Sequence, residues 1–148
     1  MNKKLLLTIA LILAIFSIGI VGAGFFDFLH FDDSSDVEVV EDGEYCTVDE
    51  VAAYIKEFHK LPSNFITKKE AQALGWHGGP LKKYAPGKSI GGDTFTNRQH
   101  ILPDSDHKYI ECDINANGTS RGAERIVYNT GNFKVYYTGD HYNTFKEV

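Results

Sequence analysis

A carboxylate, two guanidinium groups and an imidazole occur close together in the second half of the sequence, as Glu111, Arg121, Arg125 and His141. A carboxylate and an imidazole can act as proton acceptor and donor, and guanidinium groups bind phosphate oxygens. Such a set could cleave RNA without a metal ion: the carboxylate would take the 2′-hydroxyl proton, the imidazolium would protonate the departing 5′-oxygen, and the arginines would hold the phosphate. The alternative is that these charges form surface salt bridges, which contribute about 0–1 kcal/mol each.

The alternation of residue types around Glu111 indicates which way its side chain points. In a strand, Glu111 and Asp113 would share one face while Cys112 and Ile114 share the other. Because Cys112 and Ile114 suit a core, we expect Glu111 to face outward or into a cleft.

Two other patterns do not predict a site. The stretch Pro86–Ser89 matches the end of a phosphate-binding loop, but Lys82 stands where that motif needs glycine and no helical pattern follows. No histidines are paired at helical spacing with acidic partners, so we predict neither a metal site nor a cofactor.

The periodicity of the chain predicts the elements that position these residues. Two capping-box sequences, Thr47–Glu50 and Thr67–Glu70, predict two helices, the first ended by Pro62 and the second followed by a left-handed Gly75. From Asp93 onward the period changes to two, and the candidate strands are about 93–96, 108–114, 124–129, 133–138 and 142–146. Helices followed by antiparallel strands predict an α+β fold, with the N-terminal helices packed on one face of the sheet and the other face free for a ligand.

Several stretches are specific enough to indicate a family. The longest is Ala85–Asp93, and the others are His59–Pro62, Ile66–Lys68, Glu70–Trp76, Asn97–Arg98, Leu102–Pro103, Asp113–Asn115, Asp140–Tyr142 and Thr144–Phe145. With them, Thr47–Phe145 resembles the barnase-like family of small secreted bacterial guanyl-preferring ribonucleases. The resemblance implies a five-stranded antiparallel sheet with an RNA-binding cleft. It also implies an endoribonuclease that cleaves single-stranded RNA 3′ of guanosine, by metal-independent transesterification to 2′,3′-cyclic phosphate ends.

The resemblance also implies a role for each matching residue. Glu111 falls on the general base and His141 on the general acid, and the phosphate-binding positions are Lys68, Arg121 and Arg125. The substrate-binding positions are the base loop, Phe95, Thr96, Asn97, Arg98 and Gln99, together with Tyr142 beside the base and Asp93 near Lys68. The family usually has glutamate where this chain has Gln99. A carboxylate accepts two hydrogen bonds from guanine and a neutral amide oxygen is a single acceptor, so a weaker guanine preference is expected.

The N-terminal part has no counterpart in that resemblance. Residues 1–26 contain 22 consecutive uncharged residues, Leu5–Phe26, after a basic head, which predicts a secretory signal peptide or an uncleaved signal-anchor. Residues 27–44 are acidic without Lys or Arg and predict a disordered linker, or alternatively an acidic tail that competes with RNA. Residues 45–148 would form the ribonuclease domain, either secreted or anchored on the outer face of the cytoplasmic membrane.

Charge and cysteine content bear on partners. The chain has 15 basic and 20 acidic residues, but the acidic excess lies before residue 45, so overall charge does not exclude RNA. We expect RNA as the substrate, contact with a membrane only through an uncleaved anchor, a monomer, and, by resemblance, an intracellular barstar-like inhibitor. In an exported protein the isolated pair Cys46 and Cys112 predicts a disulfide, the alternative being two unpaired thiols.

Overall fold

The structure, a computed structural model, describes residues 36–148. The predicted signal peptide or anchor, residues 1–26, and the first half of the predicted linker, residues 27–35, lie outside the described residues. Within residues 36–148, no helix combines the length and the apolar character needed to cross a bilayer. The predicted division into three segments therefore stays a prediction.

Two short helices open the folded part. Helix α1 (Val48–Phe58) is capped by Thr47, whose hydroxyl oxygen accepts from the Glu50 amide. Only half of the predicted capping box forms there. The Glu50 carboxylate accepts from the Thr47 hydroxyl (2.6 Å) rather than from the Thr47 backbone amide. The helix ends before Pro62, at His59, which adopts a left-handed conformation with φ 59°.

Helix α2 (Lys68–Ala73) has the complete capping box that its sequence predicted, between Thr67 and Glu70. Its end is also as predicted: Gly75 has φ +101° and donates to the Gln72 carbonyl, while Trp76 donates to the Ala71 carbonyl. This paired closure needs a left-handed residue after the helix, and glycine adopts that conformation without steric cost.

The sheet has six strands rather than the five predicted. They run in the order of the sequence, β1 (Phe65–Ile66), β2 (Ser89–Phe95), β3 (Tyr109–Asp113), β4 (Arg125–Asn129), β5 (Val135–Thr138) and β6 (Lys146–Glu147). Strands β2 to β6 are antiparallel, whereas β1 pairs in parallel with β2. The strand that was missed is two residues long, too short for an alternating pattern to reveal it.

The α+β class is confirmed, with α1 against β4 and β5 on one face of the sheet. The core under α1 comprises Val51, Ala52, Ile55, Ile110, Cys112, Ile114, Ile126, Tyr128 and Val135. A second cluster lies apart from this core and comprises Leu102, Tyr109, Val127 and Tyr136. Its strand residues alternate along the chain with residues of the core under α1, so they point to the opposite face of the sheet. Both faces of the central strands are therefore packed.

The predicted disulfide is wrong in this structure, because Cys46 and Cys112 are both free thiols. Cys112 points into the core, as alternation predicted, and is only 1% exposed. Cys46 lies before α1 and connects to the β3 side through its backbone, since its carbonyl accepts from the Asn115 amide (2.8 Å). Burial raises the pKa of the Cys112 thiol far above its usual range.

The last residues of the predicted linker contact the folded part. Val39 is buried, the Glu41 carbonyl accepts from the Tyr54 hydroxyl, and the Glu41 carboxylate pairs with Lys60 (2.8 Å). A turn closed by the Gly43 amide and the Val40 carbonyl (3.0 Å) folds this segment onto α1. This segment precedes Thr47–Phe145, the part of the chain that resembles the ribonuclease family, and it adds to the fold on the side of α1.

Candidate active site

The face of the sheet opposite α1 carries the charged residues singled out in the sequence. Across neighbouring strands, Asp93 pairs with Glu111 and Asp113 pairs with Arg125. Because the side-chain period of a strand is two, Tyr109, Glu111 and Asp113 all project from β3 on this face. Glu111 thus sits in the middle of the face, between an aromatic end and an arginine end.

A bulge in β2 brings Asp93 opposite Glu111. The register shifts between Gly91 and Asp93, and Gly92 has φ +108°. The Asp93 carboxylate then accepts from the Lys68 backbone amide (3.0 Å), which fixes the start of α2 beside the strand. From there the Lys68 ammonium reaches the Glu111 carboxylate at 3.5 Å.

One buried carboxylate orders both arginines. Arg121 donates to both oxygens of Asp113 (2.6 and 3.0 Å), and Arg125 Nε lies 3.0 Å from the same carboxylate. The hydrogen bonds to Asp113 raise the pKa of Arg121 above its usual value. Arg125 also donates from Nη1 to the Gly122 and Glu124 carbonyls (2.9 and 2.7 Å).

The arginine end of the face carries more positive charge than its carboxylate neutralises. Arg125 is 4% exposed, and its Nε, although close to Asp113, is not aligned for a hydrogen bond and has no other partner. Two guanidinium groups share one carboxylate, so the arginine end keeps an excess of positive charge. A phosphate oxygen is the kind of acceptor that such a pair binds.

The Tyr142 hydroxyl lies near the charged residues of this face. Burial and the negative charge of Glu111 raise the pKa of that hydroxyl, and the positive charge of Arg125 opposes this effect. The ring stacks on Phe95 at 5.2 Å between centroids. Tyr142 therefore forms the wall between the charged centre and the loop after β2.

His141 is exposed and sits on a turn held by polar contacts. Its backbone amide donates to the Ala123 carbonyl (3.1 Å), midway in the chain between the two arginines. His141 and Tyr142 both have positive φ, 54° and 73°, which is uncommon for residues other than glycine. The turn needs an external constraint, because these conformations are strained.

Asp140 supplies that constraint. Its carboxylate accepts from the Thr138 hydroxyl (2.9 Å), the Thr144 amide (2.9 Å) and the Thr144 hydroxyl (2.6 Å). The hydrogen bonds from Thr144 and Thr138 lower the pKa of Asp140 to about 2. The carboxylate therefore stays ionised, and the turn that carries the imidazole stays closed, at neutral pH.

The loop after β2 and the His141 turn enclose a pocket of about 260 Å³. It is lined by Phe95, Thr96, Asn97, Arg98, Gln99, Ile101, His141, Tyr142 and Asn143. The Asn97 side chain is occupied in holding the loop, since it donates to the Leu102 carbonyl (2.9 Å) and accepts from the Leu102 amide (3.1 Å). Gln99 is exposed at the pocket wall, where its amide can meet a ligand.

The structure thus groups the predicted residues on one side of the sheet. Lys68 contacts both Asp93 and Glu111, and Arg121 and Arg125 share the Asp113 carboxylate two residues further along β3. The base loop and Tyr142 lie beside His141. Cys46 and Cys112 do not belong to it. Among residues 36–148, no three side chains of His, Cys, Asp or Glu are grouped as metal ligands.

Sequence reasoning missed two residues that organise the site. Asp113 was placed on the Glu111 face, but its pairing with both arginines depends on the register of β3 and β4. Asp140 acts through a turn that no periodic pattern reveals, although the spacing to Thr138 and Thr144 was a usable signal, since Asp side chains commonly cap nearby backbone amides.

Comparisons with known proteins identify the family. The sequence model of the ribonuclease family matches residues 48–148. A ribonuclease of Heyndrickxia coagulans is 47% identical over 105 residues, which cover 69% of this chain and 95% of that protein. The guanyl-specific ribonuclease Sa of Kitasatospora aureofaciens is 38% identical over 59 residues, covering 38% of this chain and 62% of that protein.

Among solved structures, ribonuclease Sa2 with guanosine-2′-cyclophosphate is 31% identical, with a TM-score of 0.36. The alignment covers 60% of this chain and 87% of that one.

Proposed function

The chain belongs to the ribonuclease family and is an endoribonuclease, and from that premise we propose that Glu111 and His141 carry out the proton transfers of a metal-independent transesterification. The observation that carries this proposal is the position of Glu111, 3.5 Å from the Lys68 ammonium and two residues before Asp113, whose carboxylate holds Arg121 and Arg125 on the same face of the sheet. A proton acceptor and groups that can hold a phosphate are therefore close together, and the His141 turn supports the role of proton donor because it lines the adjoining pocket.

In the proposed reaction, the Glu111 carboxylate takes the proton of the ribose 2′-hydroxyl, and the resulting oxygen attacks the adjacent phosphorus. The bond from phosphorus to the 5′-oxygen breaks, and the His141 imidazolium protonates that oxygen. The products are a 2′,3′-cyclic phosphate and a free 5′-hydroxyl. Water can open the cyclic phosphate with the two proton-transfer roles exchanged.

Lys68, Arg121 and Arg125 would stabilise the charge on the phosphate as it passes through the transition state. Asp113 supports this by fixing the Arg121 guanidinium with two hydrogen bonds before substrate arrives (2.6 and 3.0 Å). Such preorganisation reduces the rearrangement needed during the reaction.

We propose that the pocket beside His141 receives the base on the 5′ side of the cleaved bond, with guanine preferred. Support comes from the Phe95–Tyr142 stack, which offers an aromatic wall, and from the guanyl-specific relative. Gln99 supplies one acceptor oxygen and an NH₂ donor, where a carboxylate would supply only acceptors. Adenine, which presents an acceptor beside a donor, is therefore excluded less strongly than in a site with glutamate.

Export of this activity is also part of the proposal. The uncharged run Leu5–Phe26 after a basic head supports secretion or anchoring on the outer face of the cytoplasmic membrane. A monomeric nuclease and an inhibitor protein inside the producing cell would be consistent with that location.

The proposal is tested by incubating the protein with single-stranded RNA in excess EDTA and analysing the ends of the fragments. We expect full activity and 2′,3′-cyclic phosphate ends, mostly after guanosine. Activity that disappears in EDTA, or fragments whose first ends are 5′-phosphates, would contradict the mechanism.

A further inference from the structure

The geometry points to a second RNA-binding site, formed by Lys82, Lys83 and Tyr84, that holds the strand on the 3′ side of the cleaved phosphate. This inference rests on the proposed function, because the base pocket and the catalytic centre set the direction of the RNA. The site would stack a base on Tyr84 and contact phosphates through the two lysines.

The order of groups along β3 defines a direction across the face. Phe95 of the base pocket pairs with Tyr109, Glu111 follows two residues later, and Asp113 with Arg121 comes two residues after that. Each step of two residues advances about 6.8 Å along a strand. A strand whose 5′ base occupies the pocket, whose phosphate lies at Glu111 and whose leaving 5′-oxygen meets His141 can then continue past Arg121 on its 3′ side.

The path beyond Arg121 leads to Tyr84. The Arg121 guanidinium lies 5.7 Å from the centroid of the Trp76 ring, and Trp76 is buried. The Tyr84 ring lies beside Gly75, the next residue back along the chain, since a β-carbon built on Gly75 would lie 3.4 Å from Tyr84 Cε1. Tyr84 is therefore an exposed aromatic residue close to the arginine end of the catalytic centre.

A second connection places Lys82 next to the loop that carries Arg121. The Lys82 amide donates to the Gly118 carbonyl (2.8 Å), and the position of a β-carbon on Gly118 lies 3.6 Å from Lys82 Cα. Gly118 precedes Arg121 by three residues. Two independent contacts thus bring the Lys82–Tyr84 segment against the same end of the site.

The charge of this surface suits a polyanion. Residues 74–92 contain three lysines and neither Asp nor Glu. Lys82, Lys83 and Tyr84 are exposed, with Tyr84 at 36%, and the Lys83 ammonium lies 5.7 Å from the centre of the Tyr84 ring. Sites that bind single-stranded nucleic acid commonly combine an aromatic ring, which stacks on a base, with positively charged residues, which contact the phosphates.

The test measures kcat/KM of the full-length protein on three substrates: the dinucleotide GpU, GpU extended by several uridines on its 3′ side, and GpU extended on its 5′ side. We expect the variant Lys82→Ala/Lys83→Ala/Tyr84→Ala to cleave GpU and the 5′-extended substrate as the parent does. On the 3′-extended substrate its kcat/KM should fall about tenfold, in the range of one lost base-stacking contact. The dependence of log kcat/KM on log salt should also become shallower for that substrate alone, because fewer phosphates are neutralised.

The matched control is Lys56→Ala/Lys146→Ala, which removes the same charge from α1 and β6, and it should leave all three substrates unaffected. If the triple variant does not fold, the double variant Lys82→Ala/Lys83→Ala decides through the salt dependence, since both side chains are exposed. Equal losses on all substrates, or no loss on the 3′-extended one, would overturn the second site. A parent protein that cleaves none of the three would instead refute the proposed function.

Discussion

At the scale of single residues, the site depends on which charges are satisfied by the protein and which are left for the substrate. Asp113 is 3% exposed and its carboxylate is shared by Arg121 and Arg125, so each guanidinium is oriented while the pair keeps a net positive charge. Glu111, by contrast, pairs only loosely with Lys68 (3.5 Å), and its side chain stays partly exposed to solvent. This division separates a structural carboxylate from a reactive one on the same strand.

Base choice is the property that a single residue should change. We expect Gln99→Glu to raise the ratio of GpU to ApU cleavage several-fold, because a carboxylate accepts from both guanine N–H groups and cannot donate to adenine. The ratio of kcat/KM for the two dinucleotides measures it. Gln72→Glu adds the same charge on α2 and should leave the ratio as it is. An unchanged ratio in Gln99→Glu would remove Gln99 from the base site.

Much of the residue-level picture could be predicted from sequence. The alternation around Glu111 indicated which side chains face the cleft, and the structure agrees. The disulfide failed for a physical reason: the Cys112 thiol points into the core under α1, while the contact from Cys46 to the end of β3 is made by backbone atoms. Sequence spacing cannot reveal whether side chains or backbones meet.

At the scale of elements, turns and bulges give the site its shape. The bulge in β2 brings Asp93 opposite Glu111, and the turn after β5 carries His141. Both depend on local conformations that the periodicity of the strands does not encode. The predicted strands agree approximately with β3, β4 and β5. The predicted strand 142–146 is wrong except at residue 146, because residues 142–145 belong to the turn.

The turn after β5 should depend on Asp140. Asp140→Asn removes one acceptor of the Thr144 hydrogen bonds, so His141 becomes less well positioned and kcat should fall about ten- to hundredfold, the scale on which small misplacements cost activity. Asp106→Asn removes an equal charge elsewhere and serves as the control. Unchanged kcat in Asp140→Asn would show that the turn holds without the carboxylate.

The same carboxylate predicts a pH dependence. Its pKa is about 2 in the folded protein and about 3.9 in an unfolded chain, so its contribution to stability is present above about pH 4 and is lost as the pH falls toward 2. The difference in melting temperature between the parent and Asp140→Asn should therefore shrink between pH 5 and pH 2. A difference that stays constant across this range would contradict the assignment.

The close approach of β2 to its neighbours predicts a steric effect. A β-carbon at Gly91 would lie 2.6 Å from both Cys112 Cβ and Phe65 Cδ1. Gly91→Ala should therefore destabilise the fold by about 1–3 kcal/mol, the usual cost of overpacking. Gly122→Ala, where nothing lies within 4 Å, is the control, and chemical denaturation measures both. Equal stabilities would mean that the sheet relaxes around residue 91.

At the scale of the whole molecule, the two faces of the sheet have separate tasks. The α1 face holds the larger core and the segment from Val37 to Tyr45, whereas the opposite face holds the catalytic groups. The α+β class and this division followed from the order of periodic patterns. The segment before α1 could not be predicted, because its acidic composition is typical of a solvated chain and Val39 is one apolar residue within it.

Removal of that segment should lower the stability of the protein and leave its activity unchanged. A chain beginning at residue 45 loses the burial of Val39 and the contacts of Glu41 with Tyr54 and Lys60, so it should be less stable by about 1–3 kcal/mol than a chain beginning at residue 36. Both should cleave GpU at the same rate, because α1 lies on the far face. Equal stability would show that the segment contributes nothing to the fold, and unequal rates would show that it reaches the cleft.

The most direct test of the account is the pH dependence of kcat/KM for GpU cleavage in the parent, Glu111→Gln and His141→Gln. We expect a bell-shaped profile in the parent and a loss of at least ~100-fold in each variant, the usual scale of acid–base catalysis. Glu111→Gln should lose the acidic limb and His141→Gln the alkaline limb, because each limb reports the group removed. Near-parental rates in either variant, or profiles that keep both limbs, would contradict the assignment of Glu111 as base and His141 as acid.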